Sequence, residues 1–254
     1  MGADARRTIW NQFILARALA RVARAAAERE DGDNLTFCYT DTHAGSGRIA
    51  GPLTYLDKVL ARRGAFLTQD FFKALTPALP DDGHPGSWVL AGRVMQEVDG
   101  NRVAFEIDVN DIDKDLIAAA PRHQELLRAR FWSHDWFLFL RSRLSMANPP
   151  NFVFIDPPPD DARGPAYAID AAILLDTLGV PYMVSYPVAA SQEPIDQIGR
   201  TGLEIQATDG GGGVLLGGGA ENVLLDILPD MRLLAEILGG GFHVRLPQNI
   251  DYVI

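Results

Sequence analysis

A single cysteine, Cys38, stands among 254 residues. One thiol closes no intrachain disulfide, so the fold draws nothing from covalent cross-links and the expected setting is cytoplasmic. Cys38 sits in an apolar stretch, where cysteine serves as a small buried hydrophobe rather than a nucleophile. Apolar runs long enough to span a bilayer are missing and no secretory signal precedes the first helical stretch, so no membrane partner is expected. The five histidines are scattered without ligand spacing, and no metal is expected. Positive charge is in short supply too. The formal net charge is −10, which disfavours an extended nonspecific nucleic-acid surface.

What is present reads as one α/β domain over 1–254, with 47% apolar residues to build its core. A helix over 8–30 carries an apolar stripe of Leu15, Ala18, Leu19, Val22 and Ala26. Residues 1–30 hold six arginines against Asp4, Glu28 and Glu30, a local charge of +3 that leaves −13 elsewhere. Arg17, Arg21 and Arg24 share one face of this helix. They form either a solvated face or the contact surface for nucleic acid, RNA before DNA.

Five strands then alternate with helices: from Leu35, over 103–107, near 130–132, over 151–155 and over 180–186. Between the first two lies a mostly helical insertion at about 49–100, longer than a simple crossover requires. Further helices are expected over 112–120, 124–128, 165–178, 193–201 and 222–238. Residues 203–207 and 214–216 read as an antiparallel closing pair, and the tail from Phe242 as an edge strand. The glycine tract 210–213 joins that pair as a flexible connection, not as a phosphate loop, because no strand-then-helix order surrounds it. The predicted architecture is a doubly wound, mostly parallel sheet with an antiparallel closing strand.

In such a sheet, loops after consecutive strands converge at the carboxyl edge, where ligands bind. The first of them, Asp41-Thr42-His43-Ala44-Gly45-Ser46-Gly47, breaks sharply from its strand. Its glycines allow a tight turn and a close approach to a ligand. Its spacing is not Gly-x-Gly-x-x-Gly and no Gly-Lys-Ser/Thr follows, which weakens a dinucleotide or P-loop reading. Acids follow the other strands: Glu106, Asp135 and Asp156. A carboxylate after the second strand suits a ribose diol, because it accepts from both hydroxyls. Asp156-Pro157-Pro158 offers acceptors and no amide donors. The Asp156 carboxylate and the Pro157 carbonyl are placed to hold an exocyclic amino group while its nitrogen attacks a methyl.

These pieces resemble a known family. Asp-x-x-x-Gly-x-Gly is similar to the first motif of S-adenosylmethionine (SAM) methyltransferases, and Asp-Pro-Pro to the catalytic motif of amino-methyltransferases. More narrowly, Tyr39 to Arg48, Pro85-Gly86-Ser87, Phe105-Glu106-Ile107, His134-Asp135, Phe152 to Pro158 and Tyr186-Pro187-Val188 occur in the order seen in the bacterial 23S rRNA adenine-N6 methyltransferases called RlmJ. The resemblance covers roughly residues 35 to 240. It implies a Rossmann-like SAM-methyltransferase sheet, SAM as cofactor, and methyl transfer to adenine N6 in RNA or DNA. It implies cofactor contacts from His43, Ser87, Glu106, Asp135 and Trp136 and a catalytic role for Asp156; Asp41, Gly45 and Gly47 join the expected cofactor set, and Pro157 the catalytic pair, from the turn and the Asp-Pro-Pro segment themselves. Pro159 stands where the family carries a base-stacking aromatic, with Tyr167 and Tyr186 as candidate replacements. The family's N-terminal segment has no match, and Trp10-Asn11-Gln12-Phe13 occupies its place. Two alternatives stand beside this reading: a catalytically degenerate binding protein, and a methyltransferase of a small amino substrate. The oligomeric state is left open.

Overall fold

In a computed structural model, the described residues are 2–29, 36–49, 54–76, 83–99, 104–120, 128–158, 161, 163–188, 199–208 and 210–246. The expected helices over 124–128 and 193–201 lie largely or wholly outside them, as does Pro159.

The chain begins with α1 (Gly2–Arg29) and enters β1 (Thr36–Asp41). Two short strands, β2 (Arg48–Ile49) and β3 (His84–Pro85), pair antiparallel and bracket α2 (Leu56–Ala61) and α3 (Asp70–Ala74). Then come α4 (Ser87–Asp99), β4 (Ala104–Asn110), α5 (Lys114–Ala119), β5 (Ala129–Trp132) and α6 (Trp136–Leu144). After these follow β6 (Phe152–Ile155), α7 (Gly164–Leu178), β7 (Tyr182–Val188), β8 (Thr201–Gln206), β9 (Gly211–Gly217), α8 (Leu224–Leu238) and β10 (Gly241–Arg245).

Eight strands form one sheet in the order β10-β8-β9-β7-β6-β1-β4-β5. The pairs β1–β4, β4–β5, β1–β6 and β6–β7 are parallel, while β9 enters antiparallel against β7 and β8. This is the expected doubly wound sheet with its antiparallel closing strand, extended by β10 on β8. The chain winds outward from β1 through β4 to β5, then returns to β6 on the other side of β1. The reversal places a crevice at the carboxyl ends of β1 and β6, the position where open α/β sheets bind ligands.

Alternation along the strands builds both layers, because successive side chains leave opposite faces. Phe152 and Phe154 join the core under α1, α4 and α8, whereas Val153 and Ile155 join the core under α6 and α7. The first helix departs from the single stripe read from its sequence. Ile9, Trp10, Phe13, Ile14, Ala16, Leu19 and Ala20 are all buried, since α1 is enclosed by α3, α4, α8 and β9. Three of its arginines are paired with acids on neighbouring elements. Arg17 bridges Asp70 at 3.0 Å and Asp226 at 3.2 Å, Arg21 meets Asp226 at 2.6 Å, and Arg24 meets Asp70 at 2.6 Å. They tie α1 to neighbouring elements through these ion pairs, with Arg21 and Arg24 remaining partly exposed.

The second strand runs further than predicted, to Asn110, and this moves two acids. Asp108 is wholly buried, with Arg143 Nε at 2.6 Å and Arg130 Nε at 2.8 Å. The Cys38 thiol donates to Asp108 at 3.3 Å, and burial with that neighbouring carboxylate pushes the thiol up to about 11. Cys38 is therefore the inert buried residue its sequence context implied. Glu106 lies on the outer part of the same cluster and pairs with Arg130 at 3.0 Å, with 37% of its side chain exposed. Removing one partner from a buried pair leaves an uncompensated charge, while an exposed pair contributes little. Asp108→Ala is expected to cost about 3–5 kcal/mol in denaturant unfolding, and Glu106→Ala less than about 1 kcal/mol. Equal losses would contradict this division of the cluster.

Candidate active site

The β1 turn is a carboxylate followed by a glycine cradle. Asp41 ends β1 with no solvent exposure. Its Oδ2 accepts from Ser87 Oγ at 2.5 Å and Tyr39 Oη at 3.1 Å, and its Oδ1 from the His43 amide at 3.2 Å. Burial raises this carboxyl to about 7, against the lowering effect of those three donors and with a further push from the charge of Asp156. Ser87 opens α4, so the positive end of that helix also faces the carboxylate.

Gly45 and Gly47 adopt φ of +58° and +78°, a region that side-chain-bearing residues rarely enter. At Gly47 space is a second constraint. A Cβ there would lie 2.3 Å from the Trp88 ring. The Gly86 amide donates to the Gly47 carbonyl at 2.8 Å and locks the turn onto the start of α4.

His43 packs its ring 5.1 Å from that of Trp136. Thr42 Oγ1 lies 3.2 Å from the Phe154 carbonyl and 2.8 Å from His43 Nδ1. A hydroxyl has one proton to give. Assigned to the carbonyl, it leaves the imidazole proton on Nδ1 and makes Nε2 an acceptor. Nε2 is buried and has no partner among the described residues. Burial lowers His43 to about 4, so the ring is neutral.

Asp156 follows β6 directly. Although 29% of its side chain remains accessible, its Oδ1 is buried without a hydrogen-bond partner among the described residues and faces Arg7 at 3.8 Å. Burial raises its pKa, while the Arg7 charge and the Ser185 hydroxyl lower it. Pro157 packs against the start of α7, where a Cβ on Gly164 would approach it to 3.0 Å.

These groups enclose a cavity of about 180 Å³, lined by His43, Gly45, Gly47, Ser87 and Asp156 from the predicted set. Asp41 lies immediately behind it, through Ser87 and His43. Three further lining residues, Thr8, Asn11 and Gln12, come from α1, where the sequence offered no motif. Asn11 Nδ2 donates to Ser185 Oγ at 2.7 Å and leaves Oδ1 buried and unpartnered. Gln12 Nε2 donates to the Pro85 carbonyl at 2.9 Å, and its Oε1 meets His84 Nε2.

Three predicted cofactor contacts sit elsewhere. Glu106 is in register with Cys38, three residues short of the β1 carboxyl end, and is committed to Arg130. The acid beyond the end of β4 is Asp111. It accepts from the Gly45 amide at 2.9 Å and so touches the cradle directly. Asn110 beside it donates to the Thr42 and His134 carbonyls, at 3.2 and 3.1 Å. Asp135 caps α6 by accepting from the Phe137 and Leu138 amides. Trp136 reaches the site only through the His43 ring. Of the two candidate stacking residues, Tyr186 is buried and donates its hydroxyl to Glu204 at 2.7 Å. Tyr167 lies parallel to Phe137 with ring centroids 4.9 Å apart.

No family model and no curated protein matches the chain. A solved structure from Legionella pneumophila, described under the family model DUF519, aligns over 98% of this chain and 99% of its own length, with a TM-score of 0.69 and 14% identity. The fold is a Rossmann-like, doubly wound α/β sheet. A Listeria monocytogenes protein, provisionally described as a class I SAM-dependent methyltransferase, aligns over 87% of this chain and 70% of its own, with a TM-score of 0.44 and 10% identity. A human methyltransferase 10 domain containing protein aligns over 78% and 80%, with a TM-score of 0.41 and 11% identity. At these identities the likeness concerns the fold alone, and no sequence match ties the chain to the rRNA family it resembles.

The buried carboxyl and imidazole give opposite pH signatures. Asp41 at about 7 lies above its ordinary value of 3.8, so the folded chain holds the extra proton between those limits. The stability Asp41 contributes falls as pH rises through that window. His43 at about 4 lies below its ordinary 6.5, so its contribution rises with pH over the overlapping interval. Asp41→Asn removes the falling component. The variant's unfolding free energy is expected to gain on that of the wild type between pH 4 and 7, by up to about 4 kcal/mol at 1.36 kcal/mol per unit. A pH-independent difference between the two would contradict the burial of a titrating Asp41.

Proposed function

We propose that the protein is a SAM-dependent methyltransferase acting on an amino group, with adenine N6 in RNA or DNA as the leading target. The observation that carries this reading is the Asp156 Oδ1 atom. It is a buried acceptor without a hydrogen-bond partner among the described residues, and Asp156, just past the carboxyl end of β6, lines the same cavity as the Gly45–Gly47 turn. A buried acceptor left unpaired is costly, and a ligand N–H relieves that cost.

The cofactor reading fits the same cavity. Glycines with positive φ bring bare backbone to its wall, and His43 Nε2 is a second orphaned acceptor. In this reading the Gly45–Gly47 backbone, His43 and Ser87 hold SAM, and Asp111 takes the ribose role first assigned to Glu106. Bound there, SAM supplies an electrophilic methyl group. At about 180 Å³ the enclosed space is below the roughly 300 Å³ of the smaller ligand pockets. The reactive end of the ligand would occupy it, with the remainder along the open edge toward Asn110 and Asp111.

The chain's part in the chemistry is positioning. Asp156 and the Pro157 carbonyl accept the two hydrogens of the target amino group and aim its lone pair at the methyl carbon. Pro157 and Pro158 contribute no competing N–H. The tautomer assigned to His43 keeps a neutral acceptor in the wall.

One observation favours a small amino substrate as the second reading. Arg17, Arg21 and Arg24 are paired with Asp70 and Asp226, so α1 presents no open arginine stripe to a phosphate backbone. Methyl transfer from labelled SAM to deproteinised ribosomal RNA, to DNA and to a panel of small amines separates the two. Asp156→Ala is expected to lower turnover about 100-fold or more, in line with loss of a key positioning contact, with SAM affinity changed far less. Turnover unaffected by Asp156→Ala removes the Asp-Pro-Pro mechanism. No transfer to any acceptor, with SAM still bound, marks a binding protein on a methyltransferase fold.

A further inference from the structure

Asp156 serves as an acceptor with either oxygen only in its charged form, because a protonated carboxyl turns one oxygen into a donor. Its surroundings work against that charge. Burial disfavours the ionised form, and its charge is felt by the buried Asp41 on β1, whose pKa it raises. Tyr39, also on β1, feels the Asp156 charge, and Ser185 on β7 offers a neutral hydroxyl. Among the described residues the cation facing Asp156 is Arg7 on α1, with Nη2 at 3.8 Å from Oδ1.

The path of the Arg7 side chain explains part of a motif that the proposed function does not use. Gly212 lies in β9, between Pro187 of β7 and Ile205 of β8. A Cβ at Gly212 would stand 2.6 Å from Arg7 Cγ and 3.2 Å from both Cβ and Cδ. Gly212 is not among the positive-φ glycines, so any strand residue could adopt its backbone. What excludes a side chain there is the arginine arm lying across it.

We infer that Arg7 is a positioning residue: laid across Gly212, its guanidinium holds Asp156 as a carboxylate, ready to accept the hydrogens of a target amino group. The inference deepens the proposed function and rests on it for the role of Asp156. The link between Arg7, Gly212 and the Asp156 charge is testable without any ligand.

The test is a carbon-13 NMR titration of the Asp156 carboxyl in the ligand-free full chain, assigned with Asp156→Asn. The wild type is compared with Arg7→Met, Arg7→Lys and Gly212→Ala. Removing a cation from beside a carboxylate is expected to raise the Asp156 midpoint by about one pH unit or more in Arg7→Met. Gly212→Ala keeps the arginine but displaces its arm, and is expected to move the midpoint the same way. Arg7→Lys, which keeps the charge, is expected to move it less than Arg7→Met. An unmoved midpoint in Arg7→Met overturns the inference whatever Gly212→Ala shows. Should Arg7→Met fail to fold, Gly212→Ala decides alone. In the labelled-SAM assay the acid limb of the pH–rate profile should rise in parallel with the midpoint. A failure of SAM to bind would count against the proposed function and leave the titration result standing.

Discussion

Two carboxyl groups placed at the reversal of one sheet set the terms for this protein. Asp41 and Asp156 end strands that are neighbours, with Asp41 directly in register with Phe154. Both carry buried carboxyl oxygens, burial raises the pKa of each, and the charge of Asp156 raises that of Asp41 further. Such a pair persists only if the surroundings supply donors and counter-charge. Asp41 is met by Ser87, Tyr39 and the His43 amide. Asp156 has the Ser185 hydroxyl, the more distant Arg7 and an oxygen without a hydrogen-bond partner among the described residues. The unequal treatment is what separates a scaffold carboxyl from one available to a ligand.

The rest of the architecture follows from supplying those groups. Ser87 reaches Asp41 because the Gly47–Gly86 contact pins the β1 turn to the start of α4. Arg7 reaches Asp156 because α1 lies buried against β9 and not along the surface. The ion pairs of Arg17, Arg21 and Arg24 belong to the same arrangement. They fasten the later turns of α1 to Asp70 and Asp226 and so hold its first turns, with Thr8, Asn11 and Gln12, against the cavity. The same helix that carries the arginines thus forms one wall of the cavity.

Much of this was legible in the sequence where local chemistry is strong. Alternation in Thr36–Asp41 and Phe152–Ile155, the glycines at 45 and 47, and Asp-Pro-Pro each fix a conformation with few alternatives. Glu106 failed for an identifiable reason. Glu106, Asp108 and Asn110 alternate with Ile107 and Val109, and charges at strand positions looked like the end of the strand. They are part of it because Arg130 and Arg143 neutralise Asp108 from β5 and α6, a partnership with no trace in local sequence. Asp111, one residue past the true end, takes the edge position. Asn11 and Gln12 were invisible for a similar reason: a polar pair on an otherwise buried helix gains meaning only from what packs opposite. The 210–213 glycines were read as a flexible connection, yet Gly211, Gly212 and Gly213 are strand residues of β9. At Gly212 and Gly213 they make room for Arg7 and Tyr186.

The central claim is that the carboxyl edge between β1 and β6 is a cofactor site. Titration of SAM into nitrogen-15-labelled protein tests it residue by residue. Saturable shifts are expected at the backbone amides of Gly45, Gly47 and Ser87 and at the Asn11 side-chain amide, with the Glu106 amide little changed. Shifts confined to other surfaces, or none at millimolar SAM, would contradict it.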